Sequence, residues 1–248
     1  MPSTEGVSPG LAPDAPVEDV YTAATEQLDS ADGAEHALIL VAHGARRAPE
    51  MARAVAGHPG LAMVALTGPV TAVGMTDHVL RHSDLSATEG VDVAHGLKPF
   101  LRTYAVVSSA TRVERPTPSL GTYLLSLLPW TRFGIDLHEG TFVKPAELPR
   151  LVAEAAVRVT STLDERIASD LLPTGPAAQE LSLEAPASSW RARHAVECTL
   201  LLGTPDDLVS QILSAPSRDC VNCHVPTRLT RCPFCGVRQT SADRKAHV

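Results

Sequence analysis

A layered αβ domain on a mixed sheet, with an α+β arrangement as the alternative, is the α/β-class architecture that this 248-residue chain predicts, together with a small cysteine-bearing module at its C-terminal end. Three observations carry that expectation. Strand-length apolar runs alternate with helix-like stretches along most of the chain, a pattern that layers of helix on sheet accommodate. The apolar fraction of 44% supplies a sizeable core, and aromatics at only 4% leave that core to Leu, Val and Ala. Four of the five cysteines fall together near the C-terminus.

Those four read Cys220-Val221-Asn222-Cys223, then eight residues, then Cys232-Pro233-Phe234-Cys235-Gly236. Four thiolates close a tetrahedral shell, and each two-residue spacer lets both sulfurs of a pair reach one ion. The second pair resembles the knuckle of the zinc-ribbon family, where Pro fixes φ on entry and Gly accepts a left-handed or tight conformation on exit. Residues 218–238 are therefore read as a zinc ribbon, with Cys220, Cys223, Cys232 and Cys235 holding one structural Zn²⁺ per chain and leaving no open coordination position. Two disulfides or four free thiols are the alternatives. The fifth cysteine, Cys198, lies in an apolar run and reads as a small buried hydrophobe. An odd thiol beside a metal set fits a reducing compartment. The N-terminus shows no signal-peptide pattern, and no run approaches the roughly 18–20 apolar residues that span a bilayer. A cytoplasmic location and no membrane partner are expected.

The net charge of −7 is unevenly spread. Residues 1–35 carry eight acids and no Lys or Arg, and their Pro, Ser, Gly and Ala content predicts a disordered acidic tail. Within it, Val17, Val20, Tyr21, Ala24 and Leu28 share one face at helical spacing. Residues 218–248 carry six bases against two acids. That excess suggests nucleic acid, but four thiolates on one Zn²⁺ offset about two of those charges, so only a weak contact follows.

Residues 36–170 are expected to form the αβ domain. Ala37-Leu38-Ile39-Leu40-Val41-Ala42 and Leu61-Ala62-Met63-Val64-Ala65-Leu66 suit buried strands, with a helix between them over 48–56. His78-Val79-Leu80 suggests a short strand, and residues 104–113 alternate as a strand ended by Pro116 and Pro118. Leucines over 119–128 predict a short helix stopped by Pro129. Residues 133–137 form a strand, Glu139-Gly140 a turn, and Thr141-Phe142-Val143 a second strand. Leu148, Val152, Ala155, Ala156, Val159, Leu163 and Ile167 keep a 3.6-residue period, which predicts a long helix. Residues 171–189 read as a Pro/Ala/Ser-rich linker, and 190–217 as a strand followed by a helix. Thr204-Pro205-Asp206-Asp207 supplies that helix with a cap, a first-turn Pro and two acids at its positive end. Residues 239–248 are a tail.

Outside the cysteines, the candidate site pairs His43 with Asp136 and His138, at points where strands give way to turns. The three could hold a metal, or a histidine oriented by Asp136 could act as a base. Asp136-Leu137-His138 resembles a run in zinc-dependent acylases of the aspartoacylase and carboxypeptidase type, but those pair it with His-x-x-Glu, and Arg46 stands at the Glu position here. The Leu40-Val41-Ala42-His43-Gly44 opening is similar to that of cobalt chelatases of tetrapyrroles. The dinucleotide, P-loop and nucleophile-elbow patterns are missing, and the chain has three lysines.

Residues 116–152 resemble the repeated unit of SseB-type secretion-related domains, through Leu124, Leu125, Leu128, Gly140, Pro145 and Leu148. The Asn-Pro-Gly turn of that pattern is replaced here by Leu137-His138-Glu139-Gly140. This resemblance implies action through protein contacts, with the matching leucines in the core. The expected function is thus a cytoplasmic, non-enzymatic zinc-binding protein with a protein partner. A hydrolase near His43, Asp136 and His138 is the alternative, and a weak nucleic-acid binder the second. The small-molecule substrate, if any, is not legible.

Overall fold

A computed structural model describes residues 17–30, 37–42, 52, 55, 58, 60–66, 69–111, 113, 116–128, 131–148, 157–162, 179–183 and 194–239. The chain divides into two compact units. One gathers residues 68–78 and 98–207, the other the remainder, and two of the four boundaries, after residues 78 and 207, fall inside helices.

The first unit is built on a six-stranded sheet in the order β5-β4-β3-β8-β6-β7. Its strands are β3 (Leu101–Val107), β4 (Phe133–Asp136), β5 (Thr141–Val143), β6 (Val157–Thr162), β7 (Gln179–Leu183) and β8 (Ala195–Leu201). All neighbours are antiparallel except β6 and β7, so the sheet is mixed, as expected. Alternation along β3 and β8 sends Tyr104, Val106, Val196, Cys198 and Leu200 to one buried face, packed with Val143 and Leu148. Ala105, Val107 and Ala195 point to the other face and pack with Ala110, Val113, Phe133 and Ile135. Cys198 is fully buried, in keeping with its reading as a small hydrophobe. The β4–β5 hairpin turns at Gly140, whose φ of +64° is the left-handed conformation that glycine adopts without strain.

Three expectations fail in this unit. The helix expected over 148–167 is strand β6 at Val157–Thr162, while residues 149–156 and 163–167 lie outside the described residues. Val157, Val159, Thr160 and Thr162 are β-branched, and pairing with β8 and β7 on both edges decides the outcome over the helical period. Part of the expected linker is β7, where Leu181 and Leu183 alternate with Glu180 and Ser182 inside Pro- and Ala-rich flanks. His78 lies in a helix, α2 (Val70–Arg81), rather than in a strand. Thr71, Met75 and Val79 form its buried stripe at i, i+4 and i+8.

The second unit contains α1 (Val17–Ser30), β1 (Ala37–Ala42), β2 (Leu61–Leu66) and α3 (Ala87–Gly96). The two expected strands pair in parallel, Ala37 beside Leu61. Of the helix expected between them, Ala52 and Val55 are helical and the rest lies outside the described residues. The acidic N-terminal segment, expected to be a disordered tail with one helical face over Val17 to Leu28, is helical over α1. Val17, Val20, Tyr21 and Ala24 cover Ile39, Val55 and Leu61, so an apolar face fixes a segment whose composition argues against order. The sequence reading passed over α3, which Ser86 and Glu89 open with a reciprocal capping box. Helix α4 (Leu120–Leu125) starts at its Ser119 cap, and α5 (Pro205–Leu213) starts at the expected Pro205.

Candidate metal centre and a buried polar strip

The C-terminal cysteines lie on two turns of similar build. In the first, the Cys220 N–H donates to Val225 O, and the His224 N–H donates to Cys220 O. In the second, the Cys232 N–H donates to Val237 O, and the Gly236 N–H donates to Cys232 O. Each turn closes on a left-handed residue, His224 at φ +60° and Gly236 at +72°. Glycine takes that conformation freely, whereas histidine is held there by its turn. Short strands β9 (Arg218–Asp219) and β10 (Pro226–Thr227) pair antiparallel across the first turn, and a bridge between Arg231 and Arg238 closes the second.

The turns bring the four Sγ atoms within 4.8 Å of one another, with Cys220–Cys235 and Cys223–Cys232 contacts of 3.5 Å. A tetrahedral site with metal–sulfur bonds of about 2.3 Å has sulfur–sulfur edges of about 3.8 Å. The donor set therefore fits a thiolate-binding cation, and the module is ribbon-like. Burial pushes the Cys232 thiol up to about 12, against the N–H groups of Cys235 and Phe234. Burial also opposes ionisation of Cys220, but the N–H groups of Cys223 and Asn222, with Cys235 and Gln239, outweigh it and bring that thiol down to about 6. A bound cation favours the thiolate at all four positions. Gln239 supports the site from outside, its Nε2 donating to Cys220 Sγ at 3.2 Å and its Oε1 accepting from the Val221 N–H.

This module is part of its unit's core rather than an appendage. Cys220, Val225, Cys232 and Phe234 are buried with Ala62 and Val64 of β2 and Val91 and Ala94 of α3. Arg228 fastens it. Its NH1 donates to Asp92 Oδ2 on α3 at 2.9 Å, its Nε to Ala215 O and its NH2 to Leu213 O at the end of α5. Its backbone N–H also reaches Asp92 Oδ1. One guanidinium thus neutralises a buried carboxylate and satisfies two carbonyls beyond a helix end.

A second polar arrangement, which the sequence reading missed, lies on the sheet of the other unit. Glu197 of β8 is fully buried, and its Oε1 accepts from the Thr71 N–H at 2.9 Å and from Thr71 Oγ1 at 2.6 Å. Thr71 Oγ1 lies 2.7 Å from Thr199 Oγ1, which lies 2.7 Å from Thr103 Oγ1. The carboxylate holds the first turn of α2, where backbone N–H groups favour negative charge. The visible signal was a Glu and a Thr at alternate positions of an apolar run, which puts both on one face of a strand.

The alternative site lies partly outside the described residues. Asp136 Oδ1 accepts the N–H groups of His138 and Glu139, so it fastens the hairpin turn. The His138 ring lies 3.7 Å from the exposed Glu139 carboxylate. His43 is outside the described residues. The four cysteines form the metal-ligating cluster found among the described residues, and Asp136 and His138 belong to none.

No family model matches the sequence, and no curated protein matches it significantly. Solved structures do match. A DegV family protein from Corynebacterium glutamicum aligns with TM-score 0.52 and 14% identity, over 77% of this chain and 83% of its own. The fold is DegV-like. The fatty acid kinase B3 protein of Streptococcus pneumoniae, loaded with linoleic acid, aligns with TM-score 0.50 and 14% identity over 76% and 77% of the two chains. A Thermus thermophilus DegV family protein described for its fatty acid binding aligns with TM-score 0.51 and 18% identity over 75% and 77%.

This likeness overturns the expectation of a zinc module acting through protein contacts. The physical reasons agree with the correction. The ribbon buries Val225 and Phe234 and commits Arg228 inside its own unit. No family model supports the SseB-type resemblance, and Leu124, Leu125 and Leu128, expected in the core, are exposed.

Proposed function

We propose that this protein binds a long-chain fatty acid or a related acyl chain. The observation that carries the reading is the DegV-like fold over about three quarters of the chain, shared with proteins described as loaded with, or binding, fatty acids. The apolar face of Tyr104, Val106, Val196, Cys198 and Leu200 is compatible with an acyl ligand. A polar head would be recognised by a few placed hydrogen-bonding groups. Extraction of the purified full-length protein with organic solvent, followed by mass spectrometry, tests the reading. It expects fatty acids of a narrow length range near one per chain, whereas a folded protein with no acyl content that also takes up none on incubation contradicts it.

We further infer that Cys220, Cys223, Cys232 and Cys235 hold one structural Zn²⁺. Four sulfurs at tetrahedral spacing, second-sphere support from Gln239 and burial within a core support this ion in preference to the harder, oxygen-seeking cations. Metal analysis should return one zinc per chain, lost in Cys223→Ser.

A further inference from the structure

The most exposed apolar surface among the large side chains described is concentrated on one short element. Leu120 is 76% exposed and Leu127 65%, and Tyr123, Leu124, Leu125 and Leu128 are each roughly half exposed. These six lie within nine consecutive residues, on α4 and the turn that follows it. Their position is fixed rather than frayed. Ser119 caps α4 through the Thr122 N–H, and Ser126 Oγ accepts from the Ala110 N–H while donating to Thr122 O. Thr122 and Ser126 are half-buried, and the leucines face solvent.

The sequence around the patch indicates what covers it. No charged residue occurs from Pro116 to Thr131, and Arg112, Arg115 and Arg132 flank this stretch with Glu114 as the lone acid. Tyr123 accompanies the leucines, and such a ring favours the boundary between hydrocarbon and water. The six side chains expose on the order of 500 Å² of apolar surface, large for a monomer. Area alone does not exclude a protein partner, whose roughly 800 Å² per side is only about 57% apolar. The leucines, however, continue past the helix end, instead of forming the single stripe that a helix groove requires. A fluid lipid surface accepts such a knob without shape complementarity, and anionic headgroups complement flanking arginines.

We propose that residues 119–128 form a peripheral membrane contact that inserts leucines into the outer acyl region of an anionic lipid surface. This revises the expectation of no membrane partner. That expectation rested on the lack of a spanning segment, and no helix described is long and apolar enough to cross a membrane. The proposal rests on the leucines and the charge pattern, so it stands whether or not an acyl chain is the ligand.

Flotation of the full-length protein with vesicles of phosphatidylcholine alone, and of phosphatidylcholine with 30% phosphatidylglycerol, tests it. The protein should float with the anionic vesicles, and the double variant Leu120→Ser, Leu127→Ser should lose at least tenfold in partition with its thermal unfolding unchanged. Failure of the folded wild type to float with the anionic vesicles overturns the proposal, as does equal partition to both vesicle types. So does a solution dimer, seen by sedimentation, that the double variant dissociates, because a second copy would then cover the patch.

Discussion

Replacing Arg228 by Met tests whether the cysteine module is an integral part of its unit. The Asp92 side chain is 3% exposed and that of Arg228 19%, so the ion pair is almost removed from water. Removing the guanidinium leaves Asp92 charged and buried without its cation, which costs about 3–5 kcal/mol. It also strips donors from the carbonyls of Leu213 and Ala215, a smaller loss because solvent can reach an exposed helix end. Domain stability is typically about 5–15 kcal/mol, so the variant should lose a large part of it. Urea unfolding of the zinc-loaded protein, followed by circular dichroism, reads the change as a lower midpoint. The double variant Arg228→Met, Asp92→Asn leaves no buried charge and should recover part of the loss. A single variant within 1 kcal/mol of wild type would refute the reasoning and leave the pair as a surface contact.

Chelation, or Cys232→Ser, removes a contribution on the order of 10 kcal/mol; hydrogen exchange should then accelerate over 61–66 and 87–96 as well as over 218–239, whereas a loss confined to the ribbon would contradict the shared core. Glu197→Ala should cost about 1–3 kcal/mol, because two donors of Thr71 lose their acceptor in the interior, and Glu197→Gln, which keeps an acceptor oxygen, should cost less than half of that in the same urea assay. Gly134→Ala places a Cβ 2.8 Å from Val143 O and 3.1 Å from Leu148 Cδ1; a loss of about 1–3 kcal/mol in thermal unfolding is expected.

The elements legible in the sequence were those whose signal is local. Strands β1, β2, β4 and β5 follow from short apolar runs and turn residues, and α5 from the Thr204-Pro205 start. The metal cluster was legible because spacing alone fixes where four sulfurs can meet. What failed depended on distant partners. Val157–Thr162 is a strand because β8 and β7 flank it, and no window along the sequence contains that pairing. The helical face of Val17, Val20, Tyr21 and Ala24 was legible, but not the Ile39 and Leu61 that it covers. Asp92 and Arg228 are 136 residues apart, and Thr71 and Glu197 126, so neither pair could be foreseen from spacing. The capping box at Ser86 was available and was overlooked among mixed signals. Function was the least legible, because the likeness in fold is carried by no motif along the chain.

Titration of delipidated, zinc-loaded protein with a fluorescent long-chain fatty acid, followed by displacement with unlabelled fatty acids of increasing length, tests the central claim most directly. Saturable binding of one acyl chain per protein, displaced best by long chains and not by short ones, is the predicted result. No saturable uptake by a protein that remains folded and retains its zinc would contradict it.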